Sequence, residues 1–147
     1  MRGRNFLTAR AAARRTAEQG SGVILMMTTT PDRRAIPFVG AFGVVCAEIE
    51  ALSRTLAAEL GPRGVRVVCL RSTGSPEAPG VQEAFGRHAR ANGQTRDGWQ
   101  AGAERGTMLR RLTTLAEVAD MAAFMASDLA SATTGTAVNL TCGSVID

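Results

Sequence analysis

At 147 residues, with 45% hydrophobic and 20% charged residues, the chain has the balance of one globular domain around one core, which excludes disorder throughout. No apolar run approaches the ~20 residues needed to cross a bilayer, and the basic start Met1-Arg2-Gly3-Arg4 leads into an alanine–arginine mixture, so neither a span nor a secretory leader is expected and the reading is cytoplasmic. The formal charge of +4 invites a nucleic-acid partner, but all 17 basic residues are arginines scattered from Arg2 to Arg111, with five phenylalanines and one tryptophan for stacking, so none is expected.

The first predicted helix runs from Asn5 to Glu18, rich in alanine, with Arg10, Arg14 and Arg15 on an exposed side, and Gly20-Ser21-Gly22 stops it. Val23–Met27 is an apolar run bounded by turn residues, which reads as a strand buried on both faces. A long helix follows over Ala41–Leu60, where Val45, Ile49, Leu52, Leu56 and Leu60 recur at helical spacing and predict one buried stripe. Gly61-Pro62 ends it, and Val65–Leu70 is the second strand.

From Ser72 to Gly106 the pattern loosens, with two short helices expected near Val81–Ala91 and Asp97–Arg105. Thr114 and Glu117 have the spacing of a capping box and open a helix that ends near Ala126. Thr136–Thr141 is the last strand. Strands alternating with helices predict parallel crossovers and an α/β fold of about three strands.

Several chemistries lack their residues. Cys46, Cys69 and Cys142 form no Cys-x-x-Cys pair, so neither a zinc knuckle nor a dithiol motif is present, and no cluster suggests a metal. Cys46 lies within a helix rather than at its positive N-terminus, which argues against a nucleophile. The single histidine, His88, sits between Arg87 and Arg90 and reads as a surface residue.

The stretch Leu52–Leu60 with Gly64-Val65-Arg66-Val67, and Glu117-Val118-Ala119 with Phe124–Asp128, Ala130-Ser131 and Thr134-Gly135, resembles the C-terminal half of short-chain dehydrogenases/reductases, in matching order along essentially the whole chain. The resemblance implies a partial Rossmann-like parallel sheet, residues 1–147 supplying the fifth to seventh strands of a seven-stranded sheet. The dinucleotide-binding N-terminal half, with its glycine-rich phosphate turn, is then expected before Met1, and no such motif occurs in this sequence. The family reduces carbonyls or oxidises alcohols with NAD(P), using a tyrosine as proton donor, a lysine one helical turn later, a serine and an asparagine.

Carried over by position, Thr29 stands for the serine, Phe42 for the tyrosine and Cys46 for the lysine. The asparagine position falls at about Met1. Ser72 and Thr73 replace the Pro-Gly that contacts the nicotinamide side, and the following loop takes the substrate-binding position without naming a substrate. A shift of register restores nothing, because the chain contains no tyrosine and no lysine. The resemblance therefore implies no catalytic residue, no cofactor held by this chain alone, and NAD(P) only as part of a longer chain. The expected partner is a second copy or a full-length relative, through the helices Asn5–Glu18 and Ala41–Leu60. The alanines Ala9, Ala11, Ala12 and Ala13 permit close approach there, or else pack on the sheet. If the chain is complete, its first strand lacks a neighbour and offers unpaired backbone, so the chain is expected either to self-associate or to be a piece of something longer.

Overall fold

The computed structural model describes residues 2–37 and 39–147, with side chains from Asn5 onward. The position near Met1 read as the family's asparagine lies outside the described residues. Strands β1 (Gly22–Thr29), β2 (Val65–Ser72) and β3 (Ala137–Leu140) form a parallel sheet in that order. Its helices are α1 (Arg2–Gln19), α2 (Phe42–Leu60), α3 (Pro79–Ala91), α4 (Arg96–Arg105) and α5 (Leu115–Ala126). β1 pairs along its whole length with β2, from Gly22 opposite Val65 to Thr29 opposite Ser72. β3 meets only the last half of β2, from Cys69 opposite Ala137 to Ser72 opposite Leu140.

Parallel strands cannot be joined by a tight turn, so α2 carries the chain from β1 to β2, and α3, α4 and α5 carry it from β2 to β3. β2 lies between its neighbours and is buried on both faces. Val65, Val67 and Cys69 meet Ala9, Ala13 and Ala17 of α1 and Ala57 and Leu60 of α2. Val68 and Leu70 meet Met125 and the rim of α5 on the opposite face. The alanines of α1 thus recur every four residues and let that helix lie close on the sheet, whereas Ala11 points to solvent.

Two expectations are corrected. Val23–Met27 is not buried on both faces: Ile24 and Met26 are, but Met27 is 47% exposed, because among the described residues β1 has a strand on one side only. The buried line on α2 is Cys46, Glu50, Ser53, Ala57 and Leu60, one position round from the predicted stripe. Ile49, Leu52 and Leu56 pack at its flank instead, since the smaller residues admit the helix closer to the sheet.

The loop joining α2 to β2 needs one glycine. Gly64 has φ 75°, and a side chain there would collide with the carbonyl of Gly20. Arg66 replaces a cap at the far end of α5. Its Nη1 donates to the carbonyls of Met125 (2.8 Å) and Thr133 (3.3 Å), and its Nη2 to Ser127 (2.9 Å). Those carbonyls lie where a helix end leaves acceptors unsatisfied.

Leu70 is fully buried at the centre of the second core. Leu70→Ala is expected to lower unfolding stability by about 2–5 kcal/mol, read as a fall in the urea midpoint with unchanged slope.

Candidate functional site

The C-terminal ends of β1 and β2 bring Thr29 beside Ser72. Thr29 closes β1, and its Oγ1 donates to the carbonyl of Ser72 at 2.6 Å. Ser72 Oγ in turn accepts from the amide of Gly74 (3.4 Å). Thr73 Oγ1 accepts from the amide of Thr113 (3.1 Å) and lies 3.2 Å from the Thr113 hydroxyl. All three hydroxyls at positions singled out from the sequence are therefore engaged within the protein.

Phe42 opens α2 and is 44% exposed, while Cys46, one turn on, is 1% exposed. The backbone carbonyl of Cys46 accepts a bond from Thr28 Oγ1 (3.4 Å). The first turn of α2 is pressed against the turn after β1, because a Cβ on Gly43 would lie 2.8 Å from the Pro31 carbonyl oxygen. The positions are thus assembled around the strand ends, but they present a phenyl ring and a buried thiol. Neither side chain carries a hydroxyl or a cationic group.

One turn beyond Cys46 lies a buried ion cluster that the sequence reading missed. Arg71 Nε donates to Glu50 Oε1 at 2.7 Å and its Nη2 to Oε2 at 2.9 Å, a two-pronged pair with each side chain at most 2% exposed. Arg71 Nη1 donates to Asp147 Oδ1 at 2.6 Å. Arg33 (3.4 Å) and Arg54 (3.9 Å) approach Glu50 from the solvent side. Burial pushes the Glu50 carboxyl upward, but the hydrogen bonds and charges of Arg71 and Arg33 outweigh it and hold it below its ordinary range. Asp32 moves the other way: burial and the charge of Glu50 raise it above its ordinary range, and its buried Oδ1 has no hydrogen-bond partner among the described residues. Cys69, beneath the cluster, is pushed up to about 12, first by burial and then by Glu50. A signal was available, since Glu50 falls on the inward face four residues after Cys46 and Arg71 interrupts an apolar strand.

A recess of about 740 Å³ lies on the opposite face, between α5, the loop before it and the turn after β3. Met108, Leu109, Met121, Phe124 and Leu140 make it largely apolar, and Arg111, Thr113, Glu117, Asp120 and Asn139 supply its polar lining. Thr29, Phe42 and Cys46 do not line it. The expected capping box is present, Glu117 N donating to Thr114 Oγ1 and Thr114 N to Glu117 Oε2. Arg111 adds two bonds to the same carboxylate (2.6 and 2.8 Å). Those bonds come first, and the cap second, in lowering Glu117 to about 2. His88 is half-buried rather than fully exposed, its ring stacked on Trp99 with centroids 5.4 Å apart. Among the described residues no group of three or more His, Cys, Asp or Glu is placed to hold a metal, and no helix is long and apolar enough to cross a membrane.

A three-stranded parallel sheet with helices on both faces, and polar residues gathered at the strand ends, defines a Rossmann-like α/β protein. The chain belongs to the short-chain dehydrogenases/reductases: the family described as enoyl-(acyl carrier protein) reductase matches residues 5–144. It is 28% identical over 132 residues to the peroxisomal 2,4-dienoyl-CoA reductase of Saccharomyces cerevisiae, covering 90% of this chain and 41% of the relative. It is 32% identical over 143 residues to the NADH-dependent enoyl-[acyl-carrier-protein] reductase of Haemophilus influenzae, covering 92% of this chain and 48% of the relative. Among solved structures, sorbitol-6-phosphate 2-dehydrogenase from Erwinia amylovora superposes with a TM-score of 0.88 over 97% of this chain and 56% of that chain, at 22% identity, a likeness of fold alone. The chain spans just under half the length of these two curated relatives.

The two buried carboxylates make opposite predictions. A depressed carboxyl stabilises the fold above its unfolded value and loses that contribution as pH falls through its folded value, so the Glu50 contribution disappears in acid below its ordinary 4.5. A raised carboxyl costs stability at neutral pH, and protonation relieves the cost. Glu50→Gln is expected to destabilise by about 3–5 kcal/mol at neutral pH, leaving Arg71 short of its partner. Asp32→Asn is expected to raise stability there. Urea unfolding at neutral and acid pH checks both signs.

Proposed function

We propose that this chain is the C-terminal half of a short-chain dehydrogenase/reductase domain that has lost the family's usual hydride-transfer chemistry and acts as a structural or regulatory partner of a full-length relative. The observation that carries the reading is the residue set at the strand ends: Phe42 exposed and Cys46 buried where a proton donor and its cationic neighbour are needed, in a sequence without tyrosine or lysine. General acid–base catalysis is worth about 10²–10⁴-fold, so its loss removes most turnover. The donor set does not suit a nicotinamide nucleotide bound by these residues alone, because Thr29 Oγ1 already donates to the carbonyl of Ser72 and Cys46 offers no charge to a ribose. NAD(P) belongs to the reading only where the other half of the domain, upstream in the same polypeptide or on another chain, supplies the phosphate-binding turn. The competing reading is part of a longer NAD(P)-dependent oxidoreductase acting on a carbonyl or alcohol substrate, as the reductase names of the curated relatives suggest for a whole protein.

The partner follows from the open side of β1. Met27 is exposed there, beside a recess of about 230 Å³ reached by Leu25, Met26 and Ile49. Phe6 and Leu7 of α1 and Phe42 and Val44 of α2 are also exposed. Apolar surface beside a strand edge favours pairing with a second copy or with a full-length family member. A cytoplasmic setting suits such a partner.

Turnover is tested by following nicotinamide absorbance with enoyl and ketoacyl thioesters. No oxidation above background is expected from the wild-type chain, and none from Phe42→Tyr alone. Turnover by the wild-type chain that substrate saturates would overturn the reading in favour of the reductase. Light scattering tests the partner: a mass above the 15.4 kDa of one chain is expected, and a monomer that melts cooperatively would rule self-association out.

A further inference from the structure

The chain turns back on itself after β3, and what holds it there has the chemistry of a binding site. Arg71 and Asn139 are direct partners across the β2–β3 register. Together they grip both oxygens of one carboxylate: Arg71 Nη1 donates to Asp147 Oδ1 at 2.6 Å, and Asn139 Nδ2 to Asp147 Oδ2 at 3.0 Å. Arg71 is 1% exposed and its other two nitrogens are fixed on Glu50, so its guanidinium cannot turn to follow the carboxylate. Charge points the same way. Around Glu50 stand three guanidiniums, those of Arg33, Arg54 and Arg71, against two carboxylates, those of Asp32 and Glu50, and Asp147 brings the cluster to balance. The hydrogen bond from Arg71 holds the Asp147 carboxyl below its ordinary range.

The segment so held forms part of another structure. Thr141 is fully buried, and its Oγ1 accepts from the amide of Val145 (3.2 Å). Between those residues, the carbonyl of Cys142 accepts from the amide of Leu109 (3.1 Å), and Gly143 lies against Met108, so close that a Cβ would come within 2.6 Å of the Met108 Cβ. Cys142 carries a left-handed φ of 51°, a conformation a side chain resists, which its surroundings must therefore maintain. Cys142 and Gly143 wall the 740 Å³ recess.

We propose that Arg71 and Asn139 form a carboxylate-binding seat, occupied in cis by Asp147, and that occupancy of the seat fastens the wall of the recess at Cys142. An empty seat carries an unbalanced guanidinium and takes a small carboxylate in place of the side chain. Release of Asp147 frees the fold-back and, through Leu109 and Met108, loosens the recess from a distance. This inference is independent of whether the chain turns over a substrate.

Cysteine labelling tests it on the full chain. Iodoacetamide modification is followed at each cysteine by peptide mass spectrometry, with Cys46 and Cys69, both 1% exposed, reporting global opening and Cys142 reporting the wall. Asp147→Ala is expected to raise the Cys142 rate by about tenfold, the scale of losing charge-assisted bonds to a buried cation, and to leave the other two unchanged. Acetate is expected to restore the slow rate while chloride at equal ionic strength does not, and adding Asn139→Ala is expected to weaken that rescue. An unchanged Cys142 rate, a parallel rise at all three cysteines, or equal rescue by chloride would each overturn the proposal.

Discussion

A guanidinium cannot shed its charge, so an arginine buried to 1% exposure dictates the placement of whatever neutralises it. Arg71 stands near the C-terminal end of the central strand and Glu50 near the middle of α2, and their two-pronged contact fixes both the height and the rotation of that helix over the sheet. Cys46 and Phe42 lie one and two turns before Glu50, so their exposure follows from that rotation. The same arginine reaches Asp147 and so ties the chain after β3 to the sheet. A buried ion pair is a poor source of net stability but an exacting source of register. Here it selects one arrangement of α2, β2 and the final segment among the many that apolar packing alone would tolerate.

Around that anchor the architecture has unequal sides. β2 is covered on both faces, β3 flanks only its last half, and β1 has one side open among the described residues. The face under α1 and α2 sets the alanines of both helices against Ile24, Met26 and the valines of β2. The face under α5 gathers Val68, Leu70 and Met125 and leaves a recess beside it. Thr29, Phe42 and Cys46 and the recess lie toward different faces and are linked through Thr73 and Thr113.

Much of this fold was legible in the sequence because its signals are local. Gly61-Pro62 ends α2 as expected, Thr114 and Glu117 form the expected cap, and the alternation of strands and helices gives the observed parallel order. Thr29, Phe42 and Cys46 are likewise spaced along one strand, turn and helix, so their neighbourhood in the fold follows from local order. What escaped depends on contacts between distant residues. The Arg71–Glu50 pair spans a separation of 21 residues and the Arg71–Asp147 pair one of 76, and neither separation leaves a periodic trace. The stripe on α2 misled for a related reason: large residues mark the flank of a closely packed helix as readily as its centre, and only the depth of Cys46, Ser53 and Ala57 distinguishes them. β1 read as doubly buried because its composition matches a strand with neighbours on both sides.

The grip of Arg66 on the end of α5 has a kinetic meaning. Its guanidinium joins the start of β2 to three carbonyls around the last turn of α5 and the loop beyond, so that helix cannot fray without opening the strand's own attachments. In hydrogen exchange, β2 and the end of α5 are therefore expected to open together. The α3–α4 hairpin contributes a single buried residue, Ala89, and opens on a separate and faster schedule.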